Sequence, residues 1–178
     1  MATQRSAQVN ITNGTDGAAL IQLYHNNSSN GTQNGAWIAA PGQTVGPLTV
    51  LFETGWGSYT ILDYWYVRMI VMDGGAPGIY NSSGPVVGPL KFSQWKECQL
   101  QSADAAKTLT FGVTKQTFSV NLDSTPCSAD MYLEGQYNPD LPVANVFVLM
   151  LENHSFDNMF AFSNISGLNV ATGAKSNT

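Results

Sequence analysis

The sequence of 178 residues carries few charges, with 7 Lys and Arg against 12 Asp and Glu, for a net charge of −5. The basic residues do not cluster, which argues against binding to a nucleic acid backbone, and no apolar run is long enough to cross a bilayer as a helix. Gly, Asn, Ser and Thr are abundant beside β-branched and aromatic residues, a composition typical of strands joined by turns.

The N-terminal stretch, MATQRSAQVNITNGT, lacks the apolar core and the small-residue cleavage site of a secretory signal. We therefore expect no signal peptide in this chain. The location of the protein stays open, and an extracellular or secreted one is compatible with the sequence.

Alternating apolar and polar residues predict four strands, each with one solvent-exposed face, in the segments QVNIT, LTVLFE, TLTFGV and FSVNL. A strand with one solvent-exposed face indicates antiparallel rather than parallel pairing. The longer apolar segments AALIQLYH and SYTILDYWYVRMIVMD predict central strands covered on both faces, the second bent near Asp63. Turn clusters such as HNNSSNGTQNG and APGQTVGP separate the strands, and SADAAKT predicts one helical turn.

These elements predict a mainly β fold, an antiparallel two-sheet β-sandwich that covers residues 6–127. Residues 128–142 show no alternation and contain two prolines, so we interpret them as a linker. Residues 143–178 begin with a continuous apolar run typical of a strand buried on both faces, which predicts an incomplete α/β segment.

The two cysteines, Cys98 and Cys127, flank a predicted hairpin. Two states fit this spacing. One is a disulfide, which by loop closure would contribute about 3 to 4 kcal/mol to stability. The other is a pair of reduced thiols in the core.

Aromatic residues concentrate in the segment ETGWGSYTILDYWYV. Aromatic rings pack on the apolar face of a pyranose while short polar side chains bind its hydroxyls, so this segment is a candidate sugar-binding site. Two other interpretations stay open: the rings belong to the core, or they lie at a lipid interface, as in the small fungal-type β-sandwich cytolysins that this composition resembles. The candidate ligand-binding residues are Trp56, Tyr59, Asp63, Tyr64, Trp65 and Tyr66.

Histidine and the acidic residues give no catalytic constellation. His25 adjoins the turn cluster HNNSSNGTQNG, and we expect a solvent-exposed loop residue there. With one histidine in this region, no Ser/His/Asp set can be assembled. Asp16, Glu53, Asp63 and Asp73 are candidates for a carboxylate pair or a calcium site, although their spacing does not place them together.

The segment VFVLMLENHSFDNMFAFSNISG resembles the start of the phosphoesterase family that holds bacterial phospholipases C, plant non-specific phospholipases C and related acid phosphatases, which are similar in fold to alkaline phosphatases. The resemblance covers about twenty residues. It implies that Glu152 and Asn153 bind a divalent metal, whereas His154 stands where the family has Arg. The family's nucleophile lies downstream of this motif, so the resemblance does not assign that role to Ser155.

We therefore predict a non-catalytic, lectin-like β-sandwich that binds carbohydrate without a cofactor of its own, carried at the N-terminus of a phosphoesterase-like protein. One alternative is that the chain is the N-terminal fragment of a metal-dependent phospholipase C or acid phosphatase. Another is a β-sandwich that interacts with membranes. An open sheet edge is compatible with a homodimer.

Overall fold

The computed structural model describes residues 2–55, 62–84 and 94–137, and this part of the chain is built from strands. One 3-10 turn, Ser102–Asp104, confirms the helical turn predicted in SADAAKT. The described strands are β1 (Ala2–Asn13), β2 (Ala19–Asn27), β3 (Gly31–Ala39), β4 (Thr44–Gly55), β5 (Asp63–Val71), β6 (Gly78–Asn81), β7 (Lys96–Glu97), β8 (Thr108–Val113), β9 (Thr117–Val120), β10 (Cys127–Asp130) and β11 (Tyr132–Gly135).

The strands form two sheets that pack face to face, which confirms the predicted sandwich. The first sheet has the order β10-β9-β8-β1-β4. The second has the order β11-β6-β5-β2-β3, and β7 pairs with the early part of β5. As predicted, β2 and β5 are central strands.

Alternation along the strands builds the core between the sheets. In β1, Val9 and Ile11 are fully buried while the intervening Asn10 is half-buried, and β8 alternates in the same way around Phe111. Side chains at every second position therefore point inward from both sheets. The larger aromatic members of this core contact each other, since Trp65 of β5 meets Phe111 of β8 edge to face, with ring centroids 4.9 Å apart.

One strand pair departs from the predicted antiparallel arrangement. β1 and β8 run parallel, with Gln8 opposite Thr108 and Asn13 opposite Val113. On its other side β1 pairs with β4 in the antiparallel sense. The solvent-exposed face of β1, from which antiparallel pairing was predicted, therefore did not exclude a parallel neighbour. The pairing of β1 with β8 leaves no local signal because the two strands are distant in sequence.

The sandwich extends beyond its predicted limits. β1 begins at Ala2, and β10 and β11 occupy much of the segment interpreted as a linker from residue 128. That interpretation was wrong for these strands, since each pairs with the edge of a sheet. The chain divides into two compact units, Met1–Asp140 and Leu141–Thr178. The second unit, with Glu152 and Asn153, lies outside the described residues.

Strand β3 begins within the segment HNNSSNGTQNG, which was predicted to be a turn cluster, and includes its last five residues. It pairs with β2 along its whole length, from Ala39 opposite Ala19 to Gly31 opposite Asn27. Within it, Gly35 permits a close approach: a Cβ there would lie 2.2 Å from the Trp37 indole, which lies over this glycine. The turn proper is therefore limited to residues 28–30.

A disulfide joins Cys98 and Cys127 across 29 residues of sequence. Closing a loop of this length contributes about 3 to 4 kcal/mol by restricting the unfolded chain. The bond attaches β10 to the segment that follows β7.

Across the described ranges, no helix is long and apolar enough to span a membrane.

Three loops are joined at the end of the sandwich where β1 ends: the loop after β1, the loop after β5 and the turn between β8 and β9. The Asp16 carboxylate accepts a hydrogen bond from the Gly75 N–H (2.8 Å) and pairs with the Lys115 ammonium. Asp73, from the same loop as Gly75, accepts a hydrogen bond at Oδ1 from the Ala18 N–H at 2.6 Å. The Lys115 and Gly75 donors together lower the pKa of Asp16 from 3.8 to about 2.

We expect the Asp16 contacts to stabilise the protein above about pH 4 and to be lost as the pH falls to about 2. Stability rises with pH in this range because the pKa of the Asp16 carboxyl is lower in the folded state than in the unfolded chain, so the folded state binds fewer protons. In thermal unfolding, the wild type should melt above the Asp16→Asn variant at pH 7, and the difference should vanish near pH 2.

The exposed Asp130 of β10 provides the control, since Asp130→Asn should follow the wild type at every pH. A difference between wild type and Asp16→Asn that is constant from pH 7 to pH 2 would contradict the assignment.

Candidate functional site

An open cleft lies at the other end of the sandwich. Its walls are the end of β4 (residues 53–55), Leu62, Glu97 and the segment 99–103, and its volume is about 510 Å³. This volume falls within the range of sites for small ligands. We call it the end cleft.

The end cleft has a mixed polar and apolar lining. Glu53 and Glu97 contribute carboxylates, Gln99 and Gln101 contribute amides, and Ser102 contributes a hydroxyl. Leu62 and Ala103 add apolar surface, whereas the side chain of Leu100 is buried in the core. Such a set offers both hydrogen-bond donors and hydrogen-bond acceptors.

Positive charge is scarce at the end cleft. None of the described residues that line it is Lys, Arg or His. One guanidinium lies against the wall, because Arg5 Nε donates to Thr54 Oγ1 at 3.1 Å. The two carboxylates outnumber this cation, so the lining favours neutral ligands over anionic ones.

A buried carboxylate, Asp63, lies behind the cleft wall. Its side chain is fully buried at the start of β5 and accepts four hydrogen bonds. Oδ1 accepts from His25 Nε2 (2.9 Å) and Asn27 Nδ2 (2.9 Å), and Oδ2 accepts from Gln99 Nε2 (2.8 Å) and the Leu100 N–H (3.0 Å). We call these five residues the Asp63 network. A charge removed from water requires such compensation.

The ring of His25 faces an acceptor at each nitrogen. Nδ1 lies 2.7 Å from Gln33 Oε1, and the orientation of this amide is fixed because Gln33 Nε2 donates to the carbonyls of Asn30 and Gly31. Nε2 faces Asp63 Oδ1. Both ring nitrogens therefore have a hydrogen-bond partner, which fixes the orientation of the ring in the core.

The Asp63 network holds the wall of the end cleft in place. The Gln99 amide forms two hydrogen bonds with Asp63, donating to its carboxylate and accepting from its N–H at 3.3 Å. The Asp63 carbonyl accepts from the Cys98 N–H at 3.1 Å, and Trp65 Nε1 donates to the Cys98 carbonyl at 2.9 Å. Gln99 and Leu100 thus contact both the cleft and the buried carboxylate.

Three of the six ligand-binding residues predicted from ETGWGSYTILDYWYV are fully buried. Asp63 and Trp65 are fully buried in the core between the sheets, because odd-numbered residues of β5 point inward. Tyr66 points to the opposite face but is also fully buried. Tyr64 is half-buried, and Trp56 and Tyr59 lie outside the described residues.

Tyr66 belongs to a three-ring cluster on the outer face of the second sheet. Its ring stacks on Trp95 with centroids 5.3 Å apart, and Tyr24 of the neighbouring strand packs at 5.5 Å. Burial raises the pKa of Tyr66 to about 12, and the nearby Glu134 carboxylate adds to the shift. Glu134 itself forms a two-pronged ion pair with Arg68, which lowers the pKa of the carboxyl and raises that of the guanidinium.

The structure gives no support to a metal site in the described ranges. No group of three or more His, Cys, Asp or Glu side chains converges there. Of the acidic residues considered from the sequence, Asp16 and Asp73 lie at one end of the sandwich, Glu53 lines the end cleft, and Asp63 is buried. Glu152 and Asn153 are outside the described part of the chain, so the implied metal ligands stay a prediction.

The expectation that His25 is an exposed loop residue was wrong. His25 belongs to β2 and is fully buried. The apolar alternation of Ile21 and Leu23 continues to residue 25, which was the available signal that its side chain points inward. No sequence signal identified Gln33, its direct partner, which lies in a segment predicted as a turn. Gln99, which contacts Asp63, comes from a segment that is remote in sequence.

Comparisons with known proteins leave the family of this chain open. No protein-family model matches it, and no curated protein is similar to it at a significant level.

We expect the Asp63→Asn substitution to lower the free energy of unfolding by about 2 to 5 kcal/mol, because an amide nitrogen replaces one carboxylate oxygen and leaves two buried donors without an acceptor. Urea unfolding measures the change. Asp130→Asn, which removes an exposed carboxylate of β10, should change stability by less than about 0.5 kcal/mol.

Equal stabilities for the Asp63→Asn and Asp130→Asn variants would contradict the role assigned to the Asp63 network.

Proposed function

We propose that the sandwich is a non-catalytic module that binds carbohydrate in the end cleft. The observation that carries this proposal is the lining of the cleft: side-chain amides, carboxylates and a hydroxyl alternate with apolar patches. Sugar hydroxyls act as donor and acceptor at once, so Glu97 and Gln101 suit them, while Leu62 suits the apolar face of the ring.

The aromatic residues proposed from the sequence also support this site. The segment that carries Trp56 and Tyr59 is bonded to Gly55 at one end and to Leu62 at the other, and both of these residues line the cleft. An aromatic ring in contact with the sugar would supply the stacking surface that sugar recognition uses. We therefore retain Trp56, Tyr59 and the half-buried Tyr64 as ligand-binding candidates and assign Asp63, Trp65 and Tyr66 to structural roles.

A glycan array tests the proposal, and we expect binding to neutral sugars in preference to sulfated or sialylated ones, because two carboxylates line the cleft. In titrations with the best neutral glycan, Glu97→Ala should weaken binding at least tenfold, since it removes a charged hydrogen-bond acceptor worth about 1.5 to 3 kcal/mol. Trp56→Ala should weaken binding about two- to tenfold.

The control is Asp130→Ala, which removes an exposed carboxylate from the opposite end of the sandwich, where β10 pairs with Thr117 of β9. It should bind like the wild type. If no sugar binds, or if the folded Glu97→Ala protein binds as tightly as the Asp130→Ala protein, the proposal is wrong.

A second candidate function rests on the motif at residues 152–157. We propose that the chain belongs to a metal-dependent phosphoric ester hydrolase in which the sandwich serves as the targeting module. The support is the resemblance of the segment ENHSFD, after an apolar run, to the phosphoesterase motif. No contact of the described residues bears on this proposal.

Hydrolysis of a chromogenic phosphate ester with added divalent metal tests the second candidate. The activity should appear only with metal and should be lost in Glu152→Gln, while Glu97→Ala should leave it unchanged. Absence of metal-dependent turnover, or turnover that Glu152→Gln retains, would contradict it.

A further inference from the structure

The two sheets end in four edge strands among the described residues: β4 and β10 in the first sheet, β3 and β11 in the second. An edge strand presents unpaired N–H and C=O groups to any extended chain. Soluble proteins block such edges with charges, proline, irregular geometry or very short strands.

Three of the four edges carry such features. β4 contains Pro47 and Glu53. β10 has four residues, ends in Asp130 and is tied by the disulfide at Cys127. β11 also has four residues and contains Glu134.

β3 has none of these features. Its nine residues, GTQNGAWIA, include no charge and no proline, and β2 pairs with one side along the full length. Its outward side chains are exposed, with Ile38 at 68%. Within the described ranges, no strand pairs with its other side.

We propose that β3 is the interface of a homodimer, in which two copies pair antiparallel through this edge. Pairing of this kind needs a partner with an equally open strand, and the chain itself supplies one. Charge also favours this surface: each copy carries a net charge of −5, and an uncharged strand is where two such copies approach with the least repulsion.

The two-fold symmetry fixes the register. All nine residues pair only if the axis passes through Gly35, which places Ala36 of one copy opposite Asn34 of the other and Ile38 opposite Thr32. Ile38 and Thr32 form a β-branched pair at each end of the ladder, a combination that suits cross-strand contact. No charged residue meets another along this line.

The second sheet would then continue across the dimer. Gly31 of β3 lies at the same end of the sandwich as the Asp63 network, since both pair with Asn27 of β2. Because the two-fold axis reverses the strand direction, the end clefts of the two copies would open at opposite ends of the assembly. The dimer does not depend on the proposed sugar binding.

Sedimentation equilibrium of the complete chain over a range of concentrations tests the proposal, and we expect a dimer. In N34K/A36K, each introduced lysine faces the lysine introduced at the other position of the partner copy, so the dimer should weaken about tenfold or more. In N34E/A36K, opposite charges face each other, and the dimer should persist and become sensitive to salt.

The control is T108K/T110K, which places two lysines at exposed positions on the outer face of the first sheet. It should dimerise like the wild type. The proposal is overturned by a wild type that stays monomeric at millimolar concentration, or by a dimer that both β3 double variants weaken equally. It is also overturned if the β3 amides resist hydrogen exchange independently of concentration, because another part of the same chain would then cover the edge.

Discussion

The buried Asp63 carboxylate is the constraint on which the rest of this molecule depends. A carboxylate with no exposure is costly unless each of its acceptor positions is filled, and here four donors from two separate segments fill them. Two come from β2 and two from the segment after β7. The charge therefore specifies how these segments meet, because an arrangement that omits one donor leaves an unsatisfied buried ion.

This constraint explains how a loop wall can serve as a binding surface. Residues 98–100 have no regular secondary structure, yet their backbone and side chains are fixed by Asp63, by the Trp65 indole and by the disulfide at Cys98. A wall fixed in this way loses little conformational entropy when a ligand binds. The end cleft thus combines a rigid wall with exposed polar groups.

Sequence pattern predicted the sandwich and its central strands because alternation reports directly which side chains point inward. It could not tell which outward faces are covered, which is why Tyr66 was assigned to a ligand surface although it packs on Trp95. It also missed β3, whose Gly, Asn and Gln residues are typical of turns and which becomes a strand only because β2 pairs with it. The partners of Asp63 could not be predicted either, because they depend on contacts between segments that are distant in sequence: Gln99 lies 36 residues from Asp63.

The parallel pairing of β1 with β8 has a consequence for how the chain folds. β1 lies in the interior of the first sheet, and its partner on one side, around Thr108, follows Gln8 only after most of the sandwich sequence. The first sheet cannot be completed by local hairpins, so loop-closure entropy must be overcome before this contact forms. Such a topology has a high contact order, and folding on the order of milliseconds to seconds is expected, limited by the search of β8 for β1.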